Sequence, residues 1–460
     1  MCLVVGLSAG SWLTGTLPAQ TAKPSDNASA ATPSIPYVPT RHDTVRDLLW
    51  MADVGTNDVV YDLGSGDGRV VIAAVRDFHA RRAVGIELDA DLVRESRAKA
   101  AREGVADRVE IIHGDLFTND FSAASVVVLY LGHGANLDLR AKLVRTLSPG
   151  ARVVSHQFGM GEWVKDKTFD VRTPFHGMYG ERDNEFKHNP DVPDYDDTRD
   201  RANHDTLSVW IVHAPVAGVW RGEVPTPSGE QELKLTLHQR LSGVSGSFQL
   251  QDENHVAGNV QVDLWGDHVR CWCLPTHSGQ PRDQIWVDGR VQGDSLSGGL
   301  RMWQGTNLVE AKWSARRDPA DFMGAWEWTG ASNAPVRLRI ERRDGRLTAT
   351  CADQNREKNA WRNETKPVPV FDLYDFGGGF YFTLLWGLEG TSYTRGSRRM
   401  GPQDGWLVGE AVLEDGTLKG SLAFYPYAER SADTGHVLQS NRNAGNPTTR
   451  RHWQLRRVTP

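Results

Sequence analysis

The run Asp62-Leu63-Gly64-Ser65-Gly66-Asp67-Gly68 lies between the apolar Val59-Val60-Tyr61 and the helix-like stretch Arg69-Val70-Val71-Ile72-Ala73-Ala74-Val75. A strand that turns through three glycines into a helix constrains the fold more than any other feature of the chain. Glycine supplies positive φ and lets backbone approach a ligand closely, and a helix start leaves unpaired N–H groups facing outward. A dinucleotide fingerprint spaces its glycines G-x-G-x-x-G and cradles a pyrophosphate. Here the spacing is G-x-G-x-G, and the strand carries an acid, Asp62, at its end. A carboxylate there suits a cationic or amino-bearing ligand better than a diphosphate. Asp62, Gly64, Ser65, Gly66 and Gly68 are therefore candidate cofactor-binding residues.

Two further strands repeat the design. Ala83-Val84-Gly85-Ile86-Glu87 ends in a carboxylate 21 residues past Gly66, where this kind of fold needs an acceptor for ribose hydroxyls. Glu87, followed by Leu88, is the ribose candidate. Val109-Glu110-Ile111-Ile112-His113-Gly114-Asp115-Leu116 reads as a third strand ending in Gly-Asp. The three strand ends together resemble class I S-adenosylmethionine (SAM) methyltransferases, whose motif I has this glycine spacing. That resemblance places the methionyl ammonium near Asp62 and the adenine amino group near Asp115 and Leu116. It implies SAM as cofactor. The bland alternative is a doubly wound domain whose acids only cap helices.

Ser125 to Leu131 is an apolar strand, Asn136 to Val144 has helical periodicity, Ser148-Pro149-Gly150 stops that helix, and Ala151 to Phe158 is the next strand. With Pro36-Tyr37-Val38-Pro39-Thr40 ahead of the first helix, Gly114-Asp115-Leu116 and Gly150-Ala151-Arg152-Val153-Val154-Ser155, the pattern resembles one branch of the superfamily. This branch comprises the seven-β-strand protein-lysine methyltransferases related to the ATP-synthase c-subunit and adenine-nucleotide-translocase enzymes, with a more distant likeness to the non-SET histone lysine methyltransferases. The likeness covers about residues 36 to 163, and it implies a protein substrate with an accessible lysine. One departure stands out: Gly132-His133-Gly134-Ala135 occupies the place of a Leu-Pro-type turn.

The 460 residues, 39% hydrophobic and 24% charged, suit two or three globular domains. A net charge of −6 gives no broad basic excess for nucleic acid, and no stretch after residue 20 is apolar enough to span a membrane. Residues 1–22 resemble a signal peptide that lacks a positive n-region, so export and a cytoplasmic location both stand as expectations. Residues 23–35, rich in Ala, Ser, Thr and Pro, read as a flexible linker. Cysteine usage implies no disulfide framework. Cys271-Trp272-Cys273 places two thiols on one strand face, and with no further ligands nearby they read as small buried hydrophobes rather than zinc ligands.

The domain expected over 36–214 closes with strands at Thr168 to Arg172 and Leu207 to His213. Between them, residues 181 to 205 hold nine carboxylates against four Lys or Arg, an acidic loop expected at the sheet edge where open α/β sheets bind ligands. From about Pro215 the chain changes character. Twelve of its 16 Trp lie there, amid short alternating runs broken by Gly and Asp turns, so an all-β region is expected. It repeats internally, over 215–318 and 319–460: Gly218-Val219-Trp220 recurs as Gly324-Ala325-Trp326, and Trp-x-x-Arg-Arg recurs at Trp313 to Arg317 and Trp453 to Arg457. The G-x-W opening and W-x-x-R ending resemble lipocalin-like barrels, in which a Trp plugs one end beneath an Arg; two sandwiches are the alternative.

Methyl transfer from a sulfonium is an in-line displacement, which needs positioning and exclusion of water more than a dedicated triad. A lysine ammonium must first lose its proton. Aromatic faces would steady the cations, and Tyr37 and Tyr130 fall where the methyl end of the cofactor belongs. Asn136 is the expected polar partner of the amine, with His133 as another. Competing readings are a small-molecule methyltransferase and an exported binding protein whose methyltransferase fold is vestigial.

Overall fold

The computed structural model describes residues 37–161, 163–172, 204–226, 229–241, 243–250, 256–273, 285–304, 307–328, 336–343, 346–353, 368–369, 371–386, 405–426 and 449–458. The expected signal peptide and linker lie outside the described residues, as does nearly all of the acidic loop. Residues 38–460 form one compact unit, separate from 1–37.

The first half of the larger unit alternates helix and strand: α1 (His42–Met51), β1 (Val59–Leu63), α2 (Arg69–Arg76), β2 (Arg82–Glu87), α3 (Ala90–Arg102), β3 (Val109–His113), β4 (Val126–Leu129), α4 (His133–Thr146), β5 (Arg152–His156), β6 (Lys167–Arg172) and β7 (His204–Ile211). The strands form one sheet in the order β3-β2-β1-β4-β5-β7-β6. β1 to β5 are mutually parallel, and β7 runs antiparallel to both β5 and β6. The order reverses at β1 and β4, so a crevice opens beyond their C-terminal ends, where such sheets bind ligands. Every residue of β1 and of β4 is buried. Residues enclosed on both faces explain why these strands are continuous apolar runs instead of alternating ones.

Two of the sequence expectations shift at their edges. α4 begins at His133, so Gly132-His133-Gly134-Ala135 is the cap and first turn of a helix and not a turn preceding it. Two glycines argue against helix on propensity alone, but Asn136 and Arg140 fasten this helix from within the fold. The last strand runs from His204 to Ile211, starting three residues earlier than the apolar pattern suggests.

The second half is all β. Eight strands from Gly218 to Arg317 form a closed up-and-down barrel, the first strand pairing with the last through Arg221–Arg316 and Trp220–Arg317. Nine strands from Gly324 to Arg457 make a second antiparallel sheet whose opening strand, Gly324–Trp328, likewise pairs with its closing strand, Thr449–Arg457. The repeat is visible atom by atom. Trp220 Nε1 donates to Val216 O at 2.9 Å and Trp326 Nε1 to Phe322 O at 2.8 Å. The Arg317 guanidinium lies 4.4 Å from the Trp220 ring centre, and that of Arg457 lies 5.0 Å from Trp326. Cys271 is buried in the first barrel, where loss of water pushes its thiol up to about 12, so it behaves as an inert hydrophobe. Among the described residues no cluster of His, Cys, Asp or Glu could hold a metal, and no helix is long and apolar enough to cross a membrane.

Candidate active site

The glycine turn sits at the end of β1. Gly64, Gly66 and Gly68 have φ of 83°, 52° and 77°, values a side chain rarely adopts, so the spacing of the three glycines is the spacing of the left-handed residues. Gly64 N and Ser65 N donate to Ile86 O at 2.8 and 3.1 Å, folding the turn across β2. That fold needs a fourth glycine: a Cβ on Gly85 would stand 2.5 Å from Ser65 Oγ. The Ser65 hydroxyl is buried there with no hydrogen-bond partner among the described residues.

Three carboxylates surround the turn, each treated differently. Asp67 is a structural clamp. Arg69 donates to its two oxygens from Nε at 2.8 Å and Nη2 at 2.9 Å, and Lys99 Nζ adds a third bond at 2.9 Å. Burial raises the Asp67 pKa, but the two cations outweigh that and hold it at about 2. Arg69 also donates from Nη1 to Thr40 O at 2.7 Å, which ties the segment ahead of α1 to the turn. Glu87 accepts from Gly66 N at 2.8 Å through one oxygen and from Leu88 N and Asp89 N at 2.8 and 2.9 Å through the other. Asp62 is buried, and no cation among the described residues balances it. Desolvation, then the nearby charges of Glu87 and Asp67, lift its pKa to about 8. A neighbouring positive charge would favour the ionised form of an acid so placed.

On the next strand end Asp115 Oδ1 accepts from Phe117 N at 2.8 Å, which shapes the turn carrying Leu116. Asn119 Nδ2 donates to Asp115 O at 2.8 Å, and Lys142 on α4 donates to Phe117 O at 3.0 Å. Leu88 is 60% exposed beside this rim. Asp62, Gly64 to Gly68, Glu87, Leu88, Asp115 and Leu116 thus line the C-terminal ends of three adjacent strands, β1, β2 and β3.

Beyond β4, the Tyr130 ring centre lies 4.1 Å from that of His156 and 5.9 Å from that of Phe158. Thr40 Oγ1 is 3.5 Å from His156 Nδ1. Asn136, fully buried, donates through Nδ2 to Ser155 Oγ and to Phe158 O, each at 3.0 Å, while its Oδ1 has no hydrogen-bond partner among the described residues. Tyr130 and Asn136 are therefore brought to one aromatic wall. Tyr37 ends the separate unit 1–37 and is 46% exposed. Sequence reasoning did not find His156, Phe158, Arg69 or Lys99. The run Val153-Val154-Ser155-His156 carries a polar residue at a strand end, the same signal that revealed Glu87, and it could have found His156.

A protein-lysine N-methyltransferase from Saccharolobus islandicus is 44% identical to this chain over 139 residues, 30% of this chain and 86% of that protein. The chain belongs to the protein-lysine N-methyltransferase family. The model of the ANTKMT methyltransferase domain matches residues 62–167, from Asp62 to the start of β6. The lysine N-methyltransferase of the ATP-synthase c-subunit from Xenopus laevis is 38% identical over 135 residues, 29% of this chain, which spans 58% of that enzyme's length. A crystal structure described as an RNA methyltransferase from Salinibacter ruber with S-adenosylhomocysteine is 43% identical, covering 38% of this chain and 94% of that one at a TM-score of 0.31. This family uses SAM, and the site fits it: a buried acid without a counter-cation among the described residues, a cradle in which a Cβ on Gly64, Gly68 or Gly85 would clash, and a buried hydroxyl in need of a partner.

Proposed function

We propose that this enzyme transfers the methyl group of SAM to the side-chain nitrogen of a lysine in a protein substrate. The observation that carries the proposal is the likeness to the archaeal protein-lysine N-methyltransferase over most of that protein's length. When bound, SAM supplies an electrophilic methyl carbon on a sulfonium, and displacement by an amine leaves a neutral thioether.

The chain's residues supply the rest. Asp62 holds the ammonium of the methionyl end, and Glu87 and Asp115 address the adenosine. A lysine ammonium, with an ordinary pKa of about 10.4, loses its proton more easily in a desolvated site beside a second positive charge. Tyr130 offers a ring face to either cation, and the orphaned Asn136 Oδ1 accepts an N–H of the incoming amine, orienting its lone pair. The test is incubation of a source-cell lysate with methyl-tritiated SAM, with and without the enzyme, followed by protease and nuclease digestion. Label that becomes protease-sensitive only when the enzyme is present supports the proposal; label confined to nuclease-sensitive or small-molecule fractions contradicts it.

A further inference from the structure

α4 does more than carry Asn136. One turn further along, Arg140 is also buried, and its Nη1 donates to Met160 O at 2.9 Å. Asn136 and Arg140 together grip the connection that leaves β5, the first at Phe158 O and the second at Met160 O. Gly161, with φ of 62°, lets that chain come so near that an added Cβ would stand 2.8 Å from Arg140 Nη1. Phe158, held at the first of these grips, stacks on Tyr130.

A further hold on Arg140 comes from the far end of the chain. Arg140 Nε donates to Tyr374 Oη at 3.1 Å, a buried bond between residues 234 positions apart. Tyr374 is fully buried and stacks against Phe376, with ring centres 6.1 Å apart and planes 7° from parallel. The hairpin that carries it is pinned to the first barrel: Gly378 N donates to Ala217 O at 2.8 Å, and Arg317 Nη1 donates to Phe376 O at 2.9 Å. Arg317 is the same residue that lies over Trp220. A continuous chain of buried contacts thus runs from both β modules through Tyr374, Arg140 and Met160 to the aromatic wall at Phe158 and Tyr130.

We propose that Tyr374 is a positioning residue for methyl transfer, and that the β modules serve the enzyme by holding Arg140, and through it the Phe158–Met160 connection, in the geometry that presents the acceptor amine. This rests on the methyl-transfer reading of the site. SAM affinity is expected to change little, because Asp62, the glycine turn and Glu87, which carry most of it, lie at the ends of β1 and β2, and the path reaches the cofactor only at its methyl end, at Tyr130.

The test uses the full-length chain and the variant Tyr374→Phe, which removes one oxygen and keeps the ring stack. Amide hydrogen exchange across residues 156–161 should quicken about tenfold while the melting temperature and distant amides stay near wild type. The rate constant kcat for methylation of lysate protein should fall about tenfold or more, with SAM affinity within about twofold of wild type. Arg140→Lys, which leaves Tyr374 and its module untouched, should do the same, and the double variant should be little worse than either single one. Unchanged exchange at 156–161 overturns the link, and quickened exchange with unchanged kcat overturns the positioning role. If wild-type enzyme methylates nothing, the methyl-transfer reading fails on its own and the exchange measurement still decides the link.

Discussion

Asp62 is the residue proposed to hold the cationic end of the cofactor. Its pKa of about 8 means that the folded protein takes up a proton there which the unfolded chain, with its carboxyl near the ordinary value of 3.8, does not hold. The folded state therefore binds more protons, and stability falls as pH rises from the ordinary value through about 8. A cationic ligand reverses that loss by pairing with the ionised form. SAM affinity, followed by calorimetry, should accordingly rise as pH climbs toward about 8 and fall beyond it as the ligand's own α-ammonium, with an ordinary pKa of about 7.7–8.0, loses its proton, and Asp62→Asn should weaken binding by about 1.5–3 kcal/mol and remove the rising limb. Glu87→Ala should weaken SAM binding by a similar amount, about 1.5–3 kcal/mol, since the carboxylate holds Gly66 N and is proposed to accept from the ribose hydroxyls. Equal affinities of wild type and Glu87→Ala would reject the ribose assignment. Asp62, Glu87 and the glycines were legible in the sequence because their positions are set by strand ends and by φ, which are local properties. Asp67 stood in the same motif, yet its partner Lys99 is 32 residues away on α3, and no local pattern announces such a pair.

At the scale of elements, the strand–turn–helix unit β1 to α2 depends on two supports outside the motif. One is Gly85 on β2. Gly85→Ala would drive a methyl group into Ser65 and to within 3.0 Å of Ile111 Cδ1, costing about 1–3 kcal/mol of stability by overpacking, and thermal melting with and without SAM should show both the loss and a smaller SAM-induced shift. The other support is the clamp on Asp67. Because its pKa is depressed to about 2, its contribution is present above the ordinary value of 3.8 and vanishes as pH falls through about 2. Asp67→Asn should lower stability by about 3 kcal/mol at neutral pH, since it leaves Arg69 buried without its anion. α4 shows what pattern reading misses. Its glycine-bearing first turn has poor propensity, and the buried anchors Asn136 and Arg140, whose partners lie on the β5–β6 connection and a distant strand, make it helical there. The tertiary anchor overrides the local preference.

Over the whole molecule, the division into a methyltransferase half and two β repeats could be read from the Trp-rich periodicity and the recurring Gly-x-Trp and Trp-x-x-Arg-Arg ends, because each repeat closes on itself through its own Trp and Arg. The seam between halves could not, since it consists of single long-range contacts. Ala214 N donates to Gly266 O at 2.8 Å, Gln239 bridges Val216 N and Ala214 O, and Arg140 meets Tyr374. A fragment spanning residues 36–214 should still fold and bind SAM, as all three strand-end acids lie within it, but it should melt lower than the full chain and transfer methyl groups poorly. Calorimetry on the fragment checks the first part and label transfer the second; a fragment that folds only when 215–460 is present would contradict the independence of the cofactor half.

The central claim, that a SAM site built around a buried Asp62 delivers methyl groups to protein lysines, is tested most directly by tandem mass spectrometry of the products labelled by wild-type enzyme and by Asp62→Asn. Methyl groups are expected on lysine side chains of a small set of proteins, reduced at equal enzyme by the substitution. Methyl groups found only on a metabolite, a lipid, a nucleic acid or protein carboxylates, with lysines untouched, would contradict it.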